Sequence, residues 1–136
     1  MLVAVLLCVS AGHAQTATVN FNSSLGTVPP NGMGIGVAVY DGNLMDAAVP
    51  GLVKNAGFNI WRYPGGSYAD IYHWQTNTAV AGGYVNPSDG FDNFMSQVKA
   101  AGGTAIVTAN YGSNAAGTAG GDPNEAAAWV TYANKT

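Results

Sequence analysis

Charge is what this chain has least of. Lysine, arginine, aspartate and glutamate make up 8% of its 136 residues, against roughly 25% in an ordinary soluble domain. Four are basic, Lys54, Arg62, Lys99 and Lys135, and they are scattered. A nucleic-acid-binding surface needs Lys and Arg gathered on one face to meet phosphates, so nucleic acid is excluded as a partner. Cysteine is nearly absent: Cys8 stands alone, which rules out an internal disulfide and a thiolate metal cage. No apolar run reaches the roughly 20 residues of a membrane-spanning helix. The nucleophile elbow Gly-x-Ser-x-Gly, the zinc motif His-Glu-x-x-His and the phosphate-binding P-loop are all missing. Gly32, Gly34 and Gly36 precede and enter a strand instead of joining a strand to a helix, so they are not a dinucleotide fingerprint. No metal or organic cofactor is implied.

What is there is apolar, small or aromatic. Apolar residues reach 48%, enough for one core, and there are 19 glycines. Uncharged polar and aromatic surfaces suit neutral sugars, whose apolar ring faces stack on aromatic side chains, although many secreted proteins share this composition whatever they bind. Met1 to Ala14 (MLVAVLLCVSAGHA) is an apolar run followed by small residues, the pattern of a secretory signal cut after Ala14. No basic residue precedes the run, and a buried first strand or helix is the alternative. The signal reading implies a secreted or periplasmic protein.

The remainder divides into an N-terminal strand and loop over 15–33 and an α/β domain over 34–136. Alternation predicts a short strand over Thr16–Phe21, and Pro29 and Pro30 mark a loop. Ile35–Tyr40 is a continuous apolar run, as in strands buried on both faces of a parallel sheet. Leu44–Ala56 is helical in pattern, with Pro50 in its first turn and Gly57 as its stop. Phe58–Tyr63 is a second strand. Asp89 is expected to cap a helix carrying Phe91, Phe94, Met95 and Val98 at i, i+3, i+4 and i+7, ended by Gly102 and Gly103. Thr104–Asn110 is a third strand. Asp122, Pro123 and Glu125 form a capping-box-like start to a last helix with a stripe of Ala126, Trp129, Val130 and Ala133. The order β-α-β-α-β-α calls for parallel strands. It fits the first three units of a (β/α)8 TIM barrel, left incomplete, or an open doubly wound sheet.

Barrel enzymes work at the C-terminal ends of their strands. Those positions hold Tyr40 and Asp41, then Arg62 to Ser67, then Asn110 to Gly112. Arg62, the sole arginine, emerges from an apolar strand and needs carboxylates or hydroxyls, either to orient a site or to close a structural ion pair. Pro64-Gly65-Gly66 suits a ligand loop or an ordinary turn. Tyr68, Tyr72, His73 and Trp74 form either a sugar platform or the packing of a long loop.

The stretch Trp61 to Trp74 (WRYPGGSYADIYHW) resembles the second-strand motif of α-L-arabinofuranosidases among the TIM-barrel glycoside hydrolases. TANYGS and the EAAAWVTYAN helix resemble the next unit of that family, and the likeness runs from about Gly34 to Thr136. It implies that Arg62 holds the catalytic glutamates in place, that Ser67 and Asn110 line the substrate, and that His73 and Trp74 sit at the rim. The family asparagine after Gly-Gly is the shorter Ser67 here. The first strand offers Ala38, Val39 and Tyr40 where the family commonly binds substrate with a glutamate.

The resemblance implies an oligo- or polysaccharide substrate and a retaining mechanism, which requires two carboxyl groups about 5–5.5 Å apart. The family draws both from glutamates after strands four and seven, so both are expected beyond Thr136. The chain is then an N-terminal fragment, itself inactive. Its one glutamate, Glu125, is placed as a cap, and Asp41, Asp70, Asp89 and Asp122 read as caps and turn residues. A non-catalytic carbohydrate-binding protein, of the kind that binds cellulose, is the alternative on the same fold.

Overall fold

A computed structural model describes residues 16–135. The signal-like segment, Met1 to Ala14, lies outside the described residues. The sheet is built from three parallel strands, β1 (Gly34–Gly36), β2 (Ile60–Tyr63) and β5 (Thr104–Val107), in the order β1-β2-β5. Helix α1 (Val49–Asn55) joins β1 to β2 and α2 (Phe91–Ala101) lies between β2 and β5. Helix α3 (Pro123–Ala133) follows β5. The β2–α2 connection holds a 3-10 turn over Ser67–Asp70 and a small antiparallel hairpin, β3 (Tyr72–His73) with β4 (Thr78–Ala79). Among the described residues the fold is α/β with an open sheet that does not close into a barrel.

The alternation of β2 decides which face is covered. Trp61 and Tyr63 are fully buried, whereas Arg62 between them is exposed. Register places Ile35, Trp61 and Ala105 side by side on the covered face. Past β1 the pairing continues through Val37 N–H to the Arg62 carbonyl (2.7 Å) and Val39 N–H to the Pro64 carbonyl (3.0 Å), which buries Val37 and Val39 in the same core. All three helices pack on that side. Val49 and Val53 bring α1 to the core. Phe94 of α2 stacks on Tyr63 at 4.5 Å, and Trp129 of α3 meets Tyr63 edge-on at 6.2 Å. On the opposite face Gly36, Arg62 and Ile106 share one level across the sheet, with no helix over them among the described residues.

Several expected elements come out shorter or differently made. No strand forms over Thr16–Phe21, because the alternating Val19 and Phe21 stay exposed and no partner strand lies alongside. The helical pattern from Leu44 becomes turns up to Ala48, with the Asp46 carboxylate accepting the Ala48 N–H at 2.8 Å. The helix itself starts at Val49, with Pro50 in its first turn. Gly102 ends α2 in the left-handed region at φ +71, where glycine carries no Cβ penalty. The last helix keeps Trp129 buried but leaves Val130 exposed, since nothing packs on that side of it. Trp74 from the β3–β4 loop stacks on Trp129 at 5.5 Å and 9°, and its indole N–H donates to the Glu125 carbonyl at 3.2 Å. Aromatic contacts therefore hold α3 to the β2–α2 connection.

Candidate functional site

The C-terminal ends of the three strands carry the residues singled out from the sequence. Arg62 projects from the bare face of the sheet one residue before the end of β2. Its neighbour in register is Gly36, around which a Cβ would meet nothing within 4 Å. The glycine thus leaves room beside the guanidinium. Among the described residues no carboxylate pairs with Arg62; the one ion pair found is His73 with Glu125. The structural ion pair considered for Arg62 is therefore not made within these residues.

Beyond Arg62 the chain turns through a cis Tyr63–Pro64 peptide and Gly65 at φ +140. That conformation is essentially closed to residues with a Cβ. Ser67 opens the 3-10 turn and is exposed. Asn110 has a different occupation. Its amide donates to the Tyr72 carbonyl at 3.1 Å and to the Ser113 hydroxyl at 3.3 Å, while its oxygen accepts the Ser113 N–H at 3.0 Å. Ser113 in turn donates to the Asp70 carbonyl at 2.8 Å. Asn110 clamps the loop after β5 onto the loop after β2, so it shapes the strand ends from beneath.

His73 and Trp74 lie on the helix side, away from Arg62's face. His73 is 4% exposed, and its Nδ1 stands 2.8 Å from Glu125 Oε2 and 3.1 Å from Oε1. A carboxylate only accepts, so Nδ1 carries the proton; Nε2 is buried without a partner among the described residues. This pairing also revises the helix start. Asp122 does cap α3, accepting the Asn124 N–H at 2.9 Å, but Glu125 turns to the buried imidazole and does not fold back on the cap. Trp74 lines an open cleft of about 570 Å³ with Gln75, Asn77, Asn93 and Tyr132.

Asp89 overturns another expectation. Gly90 takes the N-cap of α2 with no side-chain bond, while the Asp89 carboxylate is buried with neither oxygen hydrogen-bonded among the described residues. Burial, and secondarily the charge of Asp41, raises its pKa to about 6. Its carbonyl accepts from the Tyr63 hydroxyl at 2.8 Å. That hydroxyl lies 2.8 Å from the Tyr72 hydroxyl, which donates to Asn77 Oδ1 at 2.8 Å. Two hydroxyl protons serve three short contacts. Burial pushes Tyr72 up to about 12 and Tyr63 higher still. The alternation of β2 turns Tyr63 inward, and its partners come from positions 72 and 89.

Asp41 does work as a turn residue, accepting the Asn43 N–H at 2.9 Å. Among the described residues no group of three or more His, Cys, Asp or Glu is placed to hold a metal ion, and no helix is long and apolar enough to cross a membrane. The strand-end loops also expose aromatic rings. Tyr111 is 88% exposed after β5, and the half-exposed Tyr40 meets Tyr68 edge-on at 4.8 Å. No protein-family model matches the chain, and no curated protein is significantly similar to it.

Proposed function

We propose that the chain supplies the first three βα units of a (β/α)8 barrel in a secreted retaining glycoside hydrolase, arabinofuranosidase-like, acting on plant polysaccharide. One observation carries this reading: among the described residues every helix lies on the same face of the parallel sheet, and the other face is bare with Arg62 on it. A doubly wound sheet places helices on both faces. A barrel places them all outside and turns the other face inward. In this reading Arg62 is a positioning residue. It orients carboxylates carried by units beyond Thr136, and Ser67 contacts sugar from the adjoining loop. Asn110 acts through loop shape. His73 and Trp74 serve the docking of α3 in place of the rim role that the resemblance implies. The 136-residue chain alone does not hydrolyse, since Glu125 is committed to His73.

The exposed tyrosines favour a second reading, a non-catalytic carbohydrate-binding protein that stacks sugars on Tyr40, Tyr84 and Tyr111. The reading frame past the Thr136 codon separates the two. A fourth strand ending in Asn-Glu supports the hydrolase; a barrel lacking that pair overturns it in favour of binding. For the chain itself, calorimetric titration with arabinan, arabinoxylan and cellulose oligosaccharides is the direct test. Binding that weakens in Arg62→Met without loss of fold supports the site. Turnover of an aryl arabinofuranoside by the chain alone refutes the mechanism.

A further inference from the structure

The cleft of about 570 Å³ beside Trp74 takes no residue from the sheet. Eight of its nine lining residues fall between 74 and 93, so its walls are the β3–β4 loop and the start of α2, with Tyr132 of α3 as the ninth. Contacts among the described residues hold those walls. The Trp74 indole donates to the Glu125 carbonyl, and the Tyr132 hydroxyl donates to the Asp92 carboxylate, 2.8 and 3.0 Å from its two oxygens. Hydrogen-bonding capacity is left over along the cleft. Gln75 is exposed, and its amide makes no bond among the described residues. Asn93 commits its NH2 to the Ser88 carbonyl at 2.8 Å, which leaves its oxygen to accept. Asp92 keeps lone pairs beyond those that Tyr132 occupies. Trp74 and Tyr132 meet at 5.2 Å with rings inclined by 42°, an apolar corner among these groups. Gln75 also borders a neighbouring cleft of about 350 Å³, with Thr76, Asp122 and Asn124, so the two recesses share its side chain.

The chemistry of this lining selects its ligand. Neither cleft contains lysine or arginine, and each holds at least one carboxylate, so phosphates and acidic sugars are refused. The amides and carboxylates would lose their hydration to an aliphatic ligand without compensation. A neutral sugar suits them, since it offers apolar ring faces to aromatic side chains and hydroxyls that both donate and accept. We propose that an oligosaccharide of neutral units lies across Gln75, spanning the two clefts, at a binding site separate from the Arg62 face. The choice of sugar over other neutral polyols rests on the carbohydrate reading; the place does not. Held on the helix side, a polymer gains effective concentration for the Arg62 face without its reacting bond being touched.

Titration of the full chain with cellohexaose and arabinohexaose tests this, followed by tryptophan emission and by the side-chain amide NMR signals of Gln75 and Asn93. Of the three tryptophans, Trp61 and Trp129 are buried, so a saccharide-induced emission shift reports Trp74. The expected result is saturable shifts at the cleft that persist in Arg62→Met. Gln75→Ala alters an exposed side chain without a bond, so it should keep the fold and weaken this binding about fivefold, the scale of one lost hydrogen bond. Asp92→Asn leaves an acceptor for Tyr132 and should weaken it by a similar factor. Saccharide binding that vanishes in Arg62→Met, with the Gln75 and Asn93 signals unmoved, overturns the site and leaves the Arg62 reading standing. Binding indifferent to Gln75→Ala and Asp92→Asn overturns it too, as does equal affinity for oligogalacturonate, which a carboxylate-lined cleft repels. A chain that binds neither hexasaccharide overturns the site, whereas the hydrolase reading is decided by the reading frame past Thr136.

Discussion

Replacing Asp89 with asparagine should stabilise the chain at neutral pH and leave it unchanged in acid. The carboxylate is buried without a hydrogen bond, and its pKa is raised from 3.8 to about 6 by burial first and by Asp41 second. The folded state therefore holds this proton more tightly than the unfolded state. Stability is greatest below the unfolded value and falls as pH rises from about 4 through about 6. At about 1.4 kcal/mol per pKa unit, the charge costs at most about 3 kcal/mol above that window. The N-terminus of α2 next door offsets about 0.3–1 kcal/mol of this through its dipole, so burial wins and about 2 kcal/mol remains. Asparagine keeps the shape and removes the charge. Urea unfolding of both proteins between about pH 4 and pH 7, with equal m-values as the check on the comparison, should give curves that meet in acid and separate at neutrality. The difference between the two cancels every other titrating group. Parallel profiles, or an asparagine variant less stable at neutral pH, would refute the reasoning and show that the ionised carboxylate has a partner.

Four further outcomes follow from the geometry. Glu125→Ala leaves the buried His73 Nδ1 unpaired and should cost about 1–3 kcal/mol in denaturant unfolding. Gly65→Ala should cost about 1–3 kcal/mol by the same measurement, because φ is +140 while the nearest atoms are no closer than 3.4 Å; the penalty is conformational, not steric. Gly112→Ala is the reverse case, since its Cβ would stand 2.5 Å from the Asp70 Cβ. It should pry the two strand-end loops apart and speed amide exchange at Ser113. Arg62→Met, at an exposed position with no carboxylate partner among the described residues, should change stability by less than about 0.5 kcal/mol while weakening saccharide binding tenfold or so, the scale of a lost charged hydrogen bond.

What could be read from the sequence was whatever depends on neighbours along the chain. The order of strands and helices, Pro50 in its first turn and Gly102 as a stop all follow from periodicity and backbone preference. The failures share one cause. Val19 and Phe21 alternate like a strand, but a strand needs a partner to pair with. Asp89 stands where a cap should, yet Gly90 caps, the Asp89 carbonyl accepts from Tyr63, 26 positions away, and the carboxylate is buried. Glu125 matches a capping box, and a histidine 52 positions away claims it. Arg62 was legible as a site residue because a lone arginine in an apolar strand is conspicuous. The burial of His73 was not legible, since it is set by the docking of α3.

That docking carries its own signal. Trp74 and Trp129 lie nearly parallel at 5.5 Å, close enough for their electronic transitions to couple. Two indoles held this way produce a paired, oppositely signed feature in circular dichroism that neither produces alone. The feature exists only while α3 is seated on the β3–β4 hairpin. The protein therefore contains an optical reporter of its last helix, with no label needed. Its loss before the sheet melts would reveal α3 as a separately opening unit.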